Sequence, residues 1–452
     1  SYYNGPDSYQ NGLVANWKFN EGSDQLLYDH SGNYNHGTII GPSWTEDIPY
    51  RGPWFVSTSG DDSAEGSQGS PFRTIQKAIN KAGDGNEIIV EPGTYIEKLT
   101  ANNKSFILRS SSSNQDNYDE IGHVSSDVII QGNYDGSVFS LSDGTYHLEG
   151  VTIRYGRSDQ GGGINVTNSH LMIINCLIDS NQTAGSGSDG AGIYAKNTYL
   201  NIDHTTIKNN NATNENGDPG SGAGMFITND DSESNLEISN CMIEGNVADG
   251  GSGGGIILAS SSEIPFYAFI NNSIFSGNSS ARHGGAIYLS GLDHFEVSGC
   301  TFENNSATTD GGAIMAENTE ISQTFINDSY FYGNSAGDTG GGLRFFNGFQ
   351  EIQNSVISNN HANVEGGGIK FTGSTPNINF CTIANNSSSV CAGGIVAVYD
   401  QVNIRNSIIY GNDVGSLCTI QGGSFDVSYS NIEGGFEGES NIDSDPLFCD
   451  SN

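Results

Sequence analysis

Arg344 and Lys370 stand 26 residues apart in a chain with only 16 Lys+Arg against 52 Asp+Glu. Each follows a glycine triplet and one apolar residue, in "GGGLRF" and "GGGIKF". Just ahead of related triplets lie His283, Asp310, Asp338 and Glu365, with Arg282 and His361 nearby. Bases and carboxylates on one strip suit β-elimination of an anionic polysaccharide. That reaction needs a cation to neutralise the uronate carboxylate and a base to take the acidified proton. On this reading Asp310, Asp338 and Glu365 hold Ca2+, Arg344 neutralises and Lys370 abstracts. A glycosidase using Asp310 and Asp338 as a carboxylate pair is a further option. The plain alternative is a solvated face whose opposite charges pair weakly. Rings at Tyr194, Phe226 and Tyr288, with His283, suggest a different use, stacking on sugar faces without catalysis. They also suit the simpler job of supporting a covering loop.

These residues belong together only if the chain is a solenoid. The apolar residue after each triplet falls at Ile164, Ile193, Met225, Ile256, Ile287, Ile314, Leu343, Ile369 and Ile395, at spacings of 29, 32, 31, 31, 27, 29, 26 and 26. A second phrase keeps the same phase, as in "CMIEGN", "CTFENN" and "CTIANN". A sustained period of this length marks stacked repeats. The segments are short, rich in Ile, Val, Phe, Tyr and Thr, alternate in character, and are separated by Gly, Asn and Ser, which predicts strands and turns. The expectation is an all-β fold, a right-handed parallel β-helix of about eleven coils, each rung about 4.8 Å beyond the last. The residue after each apolar position should point outward: Asn165, Tyr194, Phe226, Ile257, Tyr288, Met315, Arg344, Lys370 and Val396. Asn246, Asn278, Asn305, Asn334, Asn360, Asn386 and Asn412 suit left-handed turn positions and can pass amide hydrogen bonds between coils.

"FENNSATTDGGAI" resembles the paired FxxN and GGA[ILV] repeats of polymorphic outer-membrane proteins and related β-helix adhesins, a likeness over about residues 150–415. Upstream, Trp54 to Leu99 is similar to the opening of pectate-lyase-like β-helix proteins, which include enzymes and non-enzymes. There "PFRTIQKAINKAG" (71–83) reads as an amphipathic helix between Pro71 and Gly83, expected to cap the solenoid's open end. Residues 11–48 resemble the first strands of a laminin-G/concanavalin-like jelly roll. That is too short for a sandwich of about 100 residues. The domain expectation is therefore a fragment and linker over 1–50 and the β-helix over 51–452.

Four of the seven cysteines, Cys176, Cys241, Cys300 and Cys381, share the repeat position of Thr205, Ser273, Ser329, Ser355 and Ser407 and should be buried thiols. Cys391 and Cys418 lie one coil apart, within reach of a disulfide, which leaves Cys449 over. A net charge of −36 offers nothing to nucleic acid or an anionic membrane by bulk attraction. No apolar stretch is long enough for a membrane span. The chain opens on Ser1, and both ends read as cut from something longer or engaged by a partner. The leading expectation is a secreted or cell-surface structural and adhesive protein that binds a glycan or assembles with copies of itself as a filament subunit. A calcium-dependent polysaccharide lyase is the alternative.

Overall fold

The computed structural model describes residues 26–27, 37–38, 52–112, 127–185, 187–213, 220–230, 234–260, 264–317 and 322–448. The chain divides into two compact units, Ser1–Tyr50 and Arg51–Asn452. In the first, Leu26–Leu27 pairs antiparallel with Gly37–Thr38. The rest of the stretch expected to resemble the start of a jelly roll, and Cys449, lie outside the described residues.

The second unit is a parallel β-helix. One winding runs through Ile314–Glu317, Gln323–Asn327, Tyr330–Tyr332 and Ser335–Ala336, and the next begins at Leu343–Phe346, directly beside the first of these. Repetition builds parallel sheets of 14, 13, 12 and 6 strands, more windings than the glycine triplets alone reveal. A right-handed course is the one that parallel crossovers take. Register is kept winding after winding, so Ile314 pairs with Leu343, Leu343 with Ile369 and Ile369 with Ile395. The alternation that predicted strands is visible as burial: in Ser105–Ser110 every second side chain is buried.

Inside, like stacks on like. The rings of Phe275, Phe302 and Phe331 stack at 4.6 and 4.8 Å between centroids. Each such buried ring contributes roughly 1.5–3 kcal/mol. The corner asparagines form one buried ladder. Nδ2 of Asn305 donates to Oδ1 of Asn334 at 3.0 Å, and Nδ2 of Asn334 to Oδ1 of Asn360 at 2.9 Å. The same Nδ2 groups also donate to main-chain carbonyls of the preceding winding, Phe275 and Phe302. The left-handed backbone expected of these asparagines belongs instead to the residue before, for example Asn304 (φ 55), Gly333 (φ 64) and Asn359 (φ 55). The turn needs the positive φ at one position and the amide at the next. Cys176, Cys241, Cys300 and Cys381 are buried free thiols in a second ladder with Ser and Thr, where Cys300 N donates to Ser329 Oγ at 3.2 Å. Burial pushes their pKa up, Cys176 and Cys241 to about 12 and Cys300 and Cys381 to about 11.

A short helix, α1 (Ile75–Lys81), lies against the first winding with Ile75, Ala78 and Ile79 buried. It begins later than the 71–83 reading because Phe72 bridges to Val56 and Thr74 supplies the N-cap. Its first N–H groups donate to the Glu97 carboxylate at 2.8 and 3.0 Å, and its last carbonyls accept from Lys104 Nζ. Both sets of orphaned backbone groups are thereby satisfied.

Candidate functional site

The strip expected to carry chemistry sits on the outer side of the 12-stranded sheet, and it is mostly closed. Met315 and Val396 are fully buried, and Arg344 is 3% exposed. The cause is the glycine triplet. Gly311 (φ +67) folds back over the outward residue so closely that a Cβ there would lie 2.7 Å from Met315 Cβ; at Gly340 (φ +67) it would lie 2.8 Å from Arg344 Cβ. Glycine serves here for positive φ and for close approach together.

The predicted residues include two ion pairs, His283–Asp310 and Lys370–Glu365, with Arg344 buried beside them. Arg344 stacks its guanidinium 3.6 Å over the Phe346 ring and donates from Nη1 to the Phe345 carbonyl at 2.8 Å. Burial pushes its pKa down to about 10, against the opposing pull of Asp310, Asp400, Glu365 and Asp338. Arg344 Nε and Asp400 Oδ2 have no hydrogen-bond partner among the described residues. Lys370 Nζ is held by Glu365 at 2.8 Å. Desolvation would raise the Asp310 pKa, but bonds from His283 and Thr339 and the charge of Arg344 hold it below the usual value.

Several expectations change accordingly. Arg344 cannot reach a polymer lying on the surface, and the Lys370 ammonium is committed to a carboxylate. Asp310 serves His283 and Thr339, Glu365 serves Lys370, and Asp338 is exposed. Among the described residues no group of three or more His, Cys, Asp or Glu side chains could hold a metal ion, so these three carboxylates are not gathered as Ca2+ ligands. Of the proposed sugar-stacking rings, Tyr194 is 6% exposed and stacks on Phe226 at 5.7 Å. Tyr288 donates its hydroxyl to Glu317 at 2.6 Å, with its pKa raised by burial first and by that carboxylate second. The His283 ring stacks beside Tyr288, 6.1 Å away. Cys391 and Cys418 are joined as a disulfide, with Cα atoms 6.0 Å apart.

The open side is the outer face of the 14-stranded sheet. One file there runs Asn201, Glu237, Phe269, Glu296, Phe325, Glu351 on successive rungs. The neighbouring file runs His170, Tyr199, Asn235, Tyr267, His294, Gln323, Phe349. His170 stacks on Tyr199 at 4.6 Å, and the His294 ring lies 5.2 Å from Phe269 and 5.1 Å from Phe325. Met172 and Tyr267 are 39% and 40% exposed. A cleft of about 300 Å³ is lined by His170, Met172, Tyr199, Asn201, Asn235 and Glu237 among others. A second, of about 450 Å³, is lined by Glu237, Ser239, Phe269, Asn271 and Glu296. Glu237 lines both clefts, which lie on neighbouring rungs of this groove-like face. Sequence reading missed these residues, yet a signal exists. Glu237, Phe269, Glu296, Phe325 and Glu351 each stand four places before Cys241, Ser273, Cys300, Ser329 and Ser355 in turn.

Comparison with known proteins agrees with the architecture. The family described as "Protein of unknown function (DUF1565)" matches residues 58–323, more than half the chain. The chain belongs to that family. The description "Right handed beta helix region" matches residues 254–438. A Dictyostelium discoideum protein named metabotropic glutamate receptor-like protein R is 28% identical over 187 residues, which is 41% of this chain and 10% of that protein. The chain therefore spans about a tenth of that relative's length. Among solved structures, the Agl-KA catalytic domain is 14% identical, covering 87% of this chain and 70% of its own, with a TM-score of 0.40. A GH87 α-1,3-glucanase catalytic unit from Streptomyces thermodiastaticus is 12% identical, covering 89% and 71%, with a TM-score of 0.27. At these scores the likenesses carry no argument about function. Among the described residues no helix is long and apolar enough to cross a membrane.

Proposed function

We propose that the chain is a glycan-binding β-helix module, structural and adhesive in role, of a secreted or cell-surface protein. The observation that carries this is the groove on the 14-stranded sheet, where aromatic faces and carboxylates recur on successive rungs. Rings give a sugar an apolar platform and carboxylates accept its hydroxyls. The rung repeat of about 4.8 Å lets an extended polymer meet equivalent groups as it advances. The Cys391–Cys418 disulfide supports an oxidising, extracellular setting. Helix α1 acts as the cap of the first winding, in keeping with the pectate-lyase-like opening, and the repeats keep their likeness to those of β-helix adhesins. Filament growth through the chain ends is the assembled form of the same role, and electron microscopy at high concentration tests it.

The lyase alternative has weaker support. Arg344, which that reading uses to neutralise the uronate, is buried, and Lys370, which it uses as the base, is paired with Glu365. The binding reading is tested by isothermal titration against a panel of soluble glycans. Phe269→Ala should weaken binding about tenfold, the loss of one stacking platform, while Lys370→Ala leaves it intact. Loss of binding, or release of unsaturated product, that depends on Lys370 would reverse the assignment.

A further inference from the structure

Resting on that reading, we infer that the glycan held in the groove carries protonated amino groups, as a partly or fully deacetylated amino-sugar polymer does. The groove is rich in acceptors and poor in cations. Nine consecutive strands of its sheet, from Thr145–Glu149 to Thr375–Asn379, contain no Lys or Arg. The flanking strands each carry one arginine, and both are occupied: Arg109 pairs with Glu87, and Arg405 with Asp426 at 2.7 Å.

Within the cleft the carboxylates keep few partners. Glu237 accepts from Asn201 Nδ2 at 2.9 Å, and Glu296 has the His294 ring at 3.5 Å. An ammonium is a donor with no acceptor capacity, which complements such acceptors. Glu237 and Glu296 flank Phe269 in one file. A cation held between the two acids is beside that ring, within reach of cation–π attraction as well as charge. A uronate polymer would meet repulsion at the same positions, and a neutral one would use the carboxylates as acceptors without pairing their charge.

The test is isothermal titration of the whole chain with a β-linked glucosamine oligosaccharide and with its N-acetylated counterpart, at low and high salt. The amine form should bind at least about tenfold tighter at low salt. Salt should shrink the gap, since exposed charges are screened beyond about 10 Å at 0.1 M. In the double variant Glu237→Gln, Glu296→Gln the ratio of the two affinities should fall toward one. Equal binding of both sugars by the parent chain overturns this inference and leaves the glycan reading standing. Binding of neither, with no other glycan bound, overturns the glycan reading itself. Equally tight binding of a lysine oligopeptide overturns the inference too, because charge alone would then suffice.

Discussion

The outer faces of the 12-stranded and 14-stranded sheets are built by the same repeat, yet the stretch of the first around Met315, Arg344 and Val396 is shut while the second is open. On the first, Met315 and Val396 have no exposure and Arg344 has 3%; on the second, Met172 and Tyr267 reach 39% and 40%. Strand alternation directs side chains outward on both. What differs is the turn ahead of the strand. The glycine triplet precedes the 12-stranded sheet and curls over its outward file. No glycine triplet precedes the strands of the 14-stranded sheet in the sequence. Pointing outward is a property of the strand, whereas reaching solvent is a property of the connection.

The difference can be pressed with graded substitutions. Arg344→Ala should have the largest effect, a loss of about 3–5 kcal/mol of stability, because it empties the space of a buried side chain stacked on Phe346 and removes the charge facing Asp310 and Asp400. Chemical denaturation measures it, and a loss below about 1 kcal/mol would mean that this side chain is solvated. Gly311→Ala should cost about 1–3 kcal/mol through positive φ and the clash with Met315. Phe269→Ala on the open face should cost about 1 kcal/mol of stability or less while weakening glycan binding. The two faces would then separate cleanly into one that holds the fold and one that meets the ligand.

A smaller effect is set by pH. Burial raises Asp189 and Asp400 to about 6, with backbone hydrogen bonds, and Arg344 in the case of Asp400, opposing it. Their folded values lie above the unfolded ones, so the folded state binds protons more tightly. Their contribution is fully present below about pH 4 and is lost as pH rises through about 6. Asp310 has the opposite sign and contributes above its unfolded value. Asp400→Asn should therefore flatten the fall in stability between pH 4 and 6, as read from urea midpoints across that range. An unchanged slope would show that Asp400 ionises freely.

Much of the fold was legible because the solenoid writes each winding into the chain at nearly constant spacing. Asn305, Asn334 and Asn360, the cysteine and serine ladder, and the strand files all follow from one alignment on the glycines. The site was harder to find. The Arg344–Lys370 strip was located correctly as a set of neighbours, but periodicity says nothing about what lies on top of a strand. That depends on how Gly311 and Gly340 fold back, a three-dimensional matter of φ and close approach. The open groove is not written in repeated letters, because its residues vary in type down the file, Glu237, Phe269, Glu296, Phe325. The proposed glycan-binding face lies where the repeat is least uniform.

Thiol labelling tests the contrast between the faces most directly. The native free thiols among the described residues are buried with raised pKa values, so the parent chain sets the background. Tyr267→Cys on the 14-stranded sheet should react with a maleimide at close to the rate of a free thiol and be protected by bound glycan. Ile257→Cys on the 12-stranded sheet should stay near background until the protein is unfolded. Equal labelling of both in the native state, or protection of Ile257→Cys by glycan, would contradict the assignment of the open face.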